Sequence, residues 1–287
     1  MAYLDQHPGL GFPAAAGFGL LLGSFLNVVI LRLPKRLEWE WKRDSREVLD
    51  LPDLYDPPPP GIVVERSHCP HCKHVLSWWE NIPLLSFLLL RGRCRNCKAP
   101  ISWQYPLVEL LTALAVLISV WHFGFGWKAF GAVVFSALLI PLAGIDLRTR
   151  LLPDSLTLPL MWLGLVASLE HLYLYPKPAL LGAMAGYVIL WLVTWVFKQL
   201  TGKQGMGHGD FKLLAAIGAW VGLDGILPTL LLSSFIGAIV GSLWLAAKGR
   251  DRATPIPFGP YLAIAGWISF FWGNDLLGMY MRLAGLA

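Results

Sequence analysis

Long, unbroken apolar runs dominate the chain, and they leave few folds open to it. They lie at 10–31, Pro106–Phe123, Ala129–Ile145, Leu156–Tyr175, Ala179–Phe197, Phe211–Leu223, Ile226–Ala247 and Phe258–Trp272. A helix needs about 20 apolar residues to cross a bilayer, which is close to the length of most of these runs. In lipid a segment must satisfy its own backbone hydrogen bonds, so each run predicts a helix. The expected fold is an all-α polytopic membrane protein with about eight transmembrane helices. Composition agrees. Of 287 residues 56% are hydrophobic and 14% charged, whereas a soluble domain carries roughly a quarter charged residues. The run Phe211–Leu223 covers only roughly 20 Å at about 1.5 Å per residue, which suits a helix beginning in a protein-lined recess.

The first run has no basic leader and is long enough to span, so it is expected to be a membrane helix rather than a cleaved signal peptide. Its Gly17, Gly19 and Gly23 suggest close helix packing, as do the pairs Gly182/Gly186 and Gly237/Gly241. Threading eight spans places 20 of the 23 Lys and Arg residues on one side: those at 32–104, 146–155, 198–210 with Lys212, and 248–257. Only Lys128, Lys177 and Arg282 fall on the other. The positive-inside rule then makes 32–104 cytoplasmic and both termini external. This topology accounts for the net charge of +5, and there is no basic face with interleaved aromatics to suggest nucleic-acid binding. The chain divides into a first transmembrane helix (10–31), a cytoplasmic domain (32–104) and a membrane domain (105–287). Within the cytoplasmic domain, Arg32–Asp56 reads equally as an amphipathic helix near the headgroups or as a solvated connector. Pro57–Pro60 reads as a stiff spacer.

All four cysteines form one constellation, Cys69-Pro-His-Cys72 and Cys94-Arg-Asn-Cys97. Two such knuckles can set four thiolates around a tetrahedral zinc. A cytoplasmic location disfavours disulfides, and a redox CxxC needs only one pair. With no coordination position left open, the zinc would be structural. His68, His71 and His74 flank the knuckles as alternative ligands or as solvent-facing side chains.

Ionisable groups at membrane depth are costly and suggest function. Asp146 follows the third run, and Asp210 opens the sixth within Gly205-Met-Gly-His-Gly-Asp-Phe-Lys212. In the threading both lie at cytoplasmic helix ends, where they can face each other. Two carboxylates in one low-dielectric site share a proton, supplying a general base and a general acid. Asp146 alone also reads as a solvated cap, and Asp154 reads as an N-cap of the fourth helix. The glycines before Asp210 would admit an extended peptide. This loop lacks the Lys-Ser/Thr ending of a phosphate-binding loop.

These residues resemble the type IV prepilin peptidases of bacteria, bifunctional leader peptidase/N-methyltransferases. The resemblance runs through Gly23-Ser-Phe-Leu-Asn-Val-Val29, the cysteine tetrad, Trp79-Glu-Asn-Ile-Pro83 and Tyr105-Pro-Leu-Val-Glu109. It continues in the Asp146 region with Leu151-Leu-Pro-Asp154, in Gly205–Lys212 and in Pro257-Phe-Gly-Pro-Tyr261. It implies a GxGD aspartic protease of the bacterial inner membrane, with periplasmic termini, a cytoplasm-facing site and Asp146 and Asp210 as its catalytic pair. The implied substrates are prepilins of type IV pili and pseudopilins of type II secretion, cut after a glycine, with membrane lipids around the enzyme. S-adenosylmethionine is the implied methyl donor for the new N-terminal residue, and Gly92 matches a glycine on which methyl transfer depends. Two rival readings are a protease without methyl transfer, which the intact cysteine tetrad opposes, and an ion-coupled transporter.

Overall fold

A computed structural model describes residues 7–52, 56–63, 65–203, 205–248 and 257–283. The α-helices are α1 (Pro8–Val48), α2 (Leu85–Leu89), α3 (Gln104–Phe123), α4 (Trp127–Thr149), α5 (Asp154–Leu169), α6 (Pro176–Thr201), α7 (His208–Lys248) and α8 (Gly259–Leu283). The only β pairings among the described residues are isolated bridges, His68 with Val75 and Arg93 with Pro100. Among the described residues, five helices are long and apolar enough to cross a membrane: α1, α3, α4, α6 and α7 as far as Leu243. The protein is an all-α polytopic membrane protein, and each predicted run falls on a helix because α7 holds two of them. The division within α7 is a kink at Gly222 (φ 71°, ψ −177°), a backbone conformation essentially confined to glycine. The fourth run ends sooner than its hydropathy suggests, since α5 stops at Leu169. Residues 1–6, 249–256 and 284–287, to which the charge argument assigned sides, lie outside the described residues.

The chain forms two compact units, divided after Pro141 within α4. In the first, α1 does not stop at the predicted boundary after residue 31. It runs for 41 residues, roughly 60 Å, about twice the thickness of the hydrocarbon core. The charged stretch is therefore helical, with Lys42–Glu38 at 2.8 Å and Arg36–Glu40 at 3.5 Å forming i,i+4 pairs. The chain then folds back along this extension. Arg46 donates to the Pro52 carbonyl (2.9 Å) and the Trp39 indole to that of Asp56 (3.1 Å). Arg32 reaches the carbonyls of Gly61 (2.6 Å) and Glu65 (3.0 Å).

Helices α1 and α3 pack through glycine. A Cβ at Gly19 or Gly23 would lie 2.6 Å from the Cα of Ala113 or Glu109. Gly17 does not share this role, because nothing lies within 4 Å of its Cβ position. Beside the contact, buried Asn27 donates to the carbonyls of Gly23 (3.3 Å) and Tyr105 (3.1 Å). Glu109 accepts the Leu84 N–H at 2.8 Å. Two separated motifs of the resemblance, with Leu84 just past a third, thus meet in one buried polar cluster, whose hydrogen bonds offset the cost of burial.

In the second unit α7 packs against α5, α6 and α8. Gly182 and Gly186 of α6 lie against the backbone of Gly218 and Leu214 of α7, as the GxxxG spacing predicted. On another side the Trp220 indole donates to the Leu160 carbonyl of α5 (2.7 Å) and occupies the space a Cβ at Gly164 would need. Across the α8 contact, Gly266 faces Ile217 and Gly237 faces Tyr261. These close approaches pack α5, α6 and α8 around α7, whose first turn carries Asp210.

Candidate active site and metal centre

Asp146 lies in the last turn of α4 and is 4% exposed. Its Oδ2 accepts the backbone N–H of Gly259, the first residue of α8, at 3.0 Å. Asp210 sits in the first turn of α7, within Coulombic range of Asp146. Its Oδ1 is buried without a hydrogen-bond partner. Phe211 anchors this turn, 2% exposed and edge-on to the rings of Tyr187 and His208. Leu152 is wedged between two glycines, 2.9 Å from a Cβ built at Gly209 and 3.2 Å from one built at Gly259. Asp146, Leu152, the Gly-His-Gly-Asp turn and Gly259 therefore share one site. A general base and a general acid can operate there on a backbone that approaches closely.

Asp154 is not an N-cap. Helix α5 begins at Asp154 itself, Pro153 occupies the cap position, and no side chain caps the helix. The Asp154 carboxylate instead receives Lys212 Nζ on both oxygens, at 2.7 and 2.8 Å. This clasp ties the first turn of α5 to the first turn of α7, two residues beyond Asp210. With both side chains more than a third exposed, such a pair contributes about 0–1 kcal/mol. Asp154→Asn should therefore leave cleavage within about fivefold of wild type. A kinetic assay on purified prepilin checks this, and a loss matching that of an Asp146 variant would move Asp154 into the chemistry.

The four cysteines form the second site. All are free, and their Sγ atoms lie within 4.8 Å of one another. Cys69 and Cys97 are 3.8 Å apart, and Cys72 and Cys94 are 3.9 Å apart. A tetrahedron with bonds of 2.3 Å has edges of about 3.8 Å, so this donor set fits zinc. The two knuckles repeat one turn. Lys73 donates its N–H to the Cys69 carbonyl and Lys98 to that of Cys94, and each lysine has φ of 59°. The His74 N–H and then the Asn96 amide act on Cys72, holding its thiol down at about 6, so it is readily a thiolate. His74 does not approach as a ligand; its Nε2 lies 3.4 Å from Glu80 Oε2, which also accepts the Ser77 N–H at 2.8 Å.

Gly92 ends the turn after α2. Its φ is 66°, its N–H donates to Phe87 (2.8 Å), and its carbonyl accepts from Ile101 (2.7 Å). A Cβ there would stand 3.1 Å from the Phe87 ring, which leans on Trp103 with centroids 5.0 Å apart. Left-handed backbone and the ring beside it both favour glycine.

Sequence reasoning assigned no role to Gly259, Leu152 or Lys212. Gly259 acts through its backbone, and its only signal was its place in Pro257-Phe-Gly-Pro-Tyr261. Lys212 stood out only as a basic residue at a helix foot.

The model of the bacterial peptidase A24 N-terminal domain matches residues 18–123, and that of the type IV leader peptidase family matches 133–242. A prepilin leader peptidase/N-methyltransferase of Xanthomonas campestris pv. campestris is 71% identical over 286 residues, covering 100% of both chains. One from Pseudomonas aeruginosa is 50% identical over 99% of this chain and 98% of its own. One from Legionella pneumophila is 43% identical over 98% of each. No solved structure matches the chain. Relatives so similar along the whole length show that the chain belongs to the type IV leader peptidase family, among its prepilin leader peptidase/N-methyltransferases.

Proposed function

We propose that this chain cuts the leader from prepilins and pseudopilins after a glycine at the cytoplasmic membrane face, then methylates the new N-terminus. Cleavage uses Asp146 and Asp210. The observation that carries this reading is their placement at two helix ends in one site, Asp146 buried and bonded to Gly259 and Asp210 with one buried, stranded oxygen. A buried carboxylate pair keeps a proton between its members, so one can take a proton from water while the other gives one up. The ion-coupled transporter fares worse. Buried hydroxyls at Thr112, Ser119, Ser136 and Thr229 donate to carbonyls of their own helices rather than to a translocated ion's path.

Cys69, Cys72, Cys94 and Cys97 would hold zinc as a structural clamp on the segment 67–101, with both termini periplasmic and the enzyme in the inner membrane. S-adenosylmethionine supplies the methyl group when bound. The resemblance ties methyl transfer to Gly92, and the donor is assigned to the cytoplasmic segment that carries this glycine. The assignment of 32–104 to methyl transfer and 105–287 to cleavage rests on the same reasoning. Gly92→Leu strains the left-handed turn and displaces Phe87. It should depress methylation strongly while leaving cleavage largely intact. Purified protein mixed with a prepilin and S-adenosylmethionine, with the products weighed, tests both activities. Equal loss of cleavage in the Gly92 variant would make the segment part of the protease.

A further inference from the structure

The two carboxyls of the dyad are held in unlike surroundings. Asp146 Oδ2 accepts an N–H at the N-terminus of α8 (3.0 Å), where the helix dipole favours negative charge. The Arg150 guanidinium, one turn on, acts on the same carboxyl with a favourable charge. Asp210 also takes a backbone N–H, from Gly207. Its other oxygen, however, is buried with no partner, and it feels the like charge of Asp146. An ionised oxygen stranded in this way is costly, whereas a protonated one becomes a donor.

We infer, resting on the dyad reading above, that Gly259 is a positioning residue that gives the pair a fixed polarity: Asp146 is the ionised base and Asp210 the proton-bearing acid. Water adds to the scissile carbonyl carbon, passing its proton to Asp146, while the Asp210 proton goes to the carbonyl oxygen. The gem-diol then collapses. One hydroxyl proton returns to Asp210, the C–N bond breaks, and the proton on Asp146 moves to the leaving nitrogen. Both carboxyls regain their starting states.

Glycine at 259 is essential to this arrangement, because a Cβ there would lie 2.7 Å from Asp146 Oδ2 and 3.2 Å from its Cγ. No side chain can be added without moving the carboxylate. Gly259→Ala in the full chain should lower kcat for cleavage by about 10²-fold, with KM for prepilin within about twofold. The same preparation should still methylate an already cleaved pilin, which reports an intact fold. Gly266→Ala is the matched control. Its Cβ meets Ile217 at 2.7 Å on the same helix but touches no carboxylate, so it should cost far less kcat. If Gly266→Ala costs as much, or Gly259→Ala keeps its kcat, the positioning role is overturned.

Infrared spectroscopy tests the polarity whether or not Gly259→Ala folds. A protonated carboxyl band should vanish in Asp210→Asn and persist in Asp146→Asn, and the reverse pattern would overturn the assignment. Failure of the underlying reading looks different, because both Asn variants would then cut like wild type.

Discussion

Asp146→Asn and Asp210→Asn are each expected to lower prepilin cleavage by roughly 10³-fold or more, because an amide can neither take a proton from water nor deliver one in turn. Loss at either position alone should be nearly as severe as loss of both, since the two groups act on one proton cycle. The fold should survive. Asn is isosteric, can still accept the Gly259 N–H at position 146, and removes a buried titratable group. Membrane insertion and thermal unfolding of each variant in detergent, measured beside its activity, separate the two effects. Asp154→Asn gives the scale for a nearby carboxylate outside the dyad, its partner being the exposed Lys212.

Cys72→Ser is expected to produce the largest structural change. Wild-type protein should carry about one zinc per chain, and the serine variant should lose most of it. The segment 67–101 carries little regular structure of its own. Beyond the two knuckles and their isolated bridges it contains one short 3₁₀ turn, Trp78–Asn81, and the five-residue α2. Metal binding in so small a unit is largely its folding free energy. Chelation should therefore reproduce the variant, with faster hydrogen exchange and proteolysis confined to this segment. Elemental analysis of freshly purified, unoxidised protein showing no zinc would contradict the tetrathiolate centre.

The spans were legible in the sequence because lipid leaves a chain little choice: a long apolar run must be a helix. The cysteine tetrad was legible because its spacing serves few purposes. Even the kink at Gly222 falls where two apolar runs abut. The extension of α1 to Val48 was not, since a charged helix and a solvated connector present similar residues until long-range partners such as Gly61 and Asp56 are known. Gly17, Gly19 and Gly23 look alike in sequence, yet only the latter two face α3. Asp154 sits one residue past the cap position, an offset smaller than helix boundaries can be read. Gly259 was hidden for a deeper reason. Its contribution is an N–H and an absent Cβ, neither of which leaves a side-chain signature.

The aspartates should be needed only for the first of the chain's two reactions. Mass spectrometry of Asp210→Asn with S-adenosylmethionine and either intact prepilin or an already cleaved pilin separates the two. Intact prepilin should come back unchanged, neither cut nor methylated, because the acceptor amine never forms. Cleaved pilin should gain one methyl group, about 14 Da, at a rate near that of wild type. Cut product from intact prepilin at the wild-type rate, or no methylation of cleaved pilin by folded protein, would contradict the account.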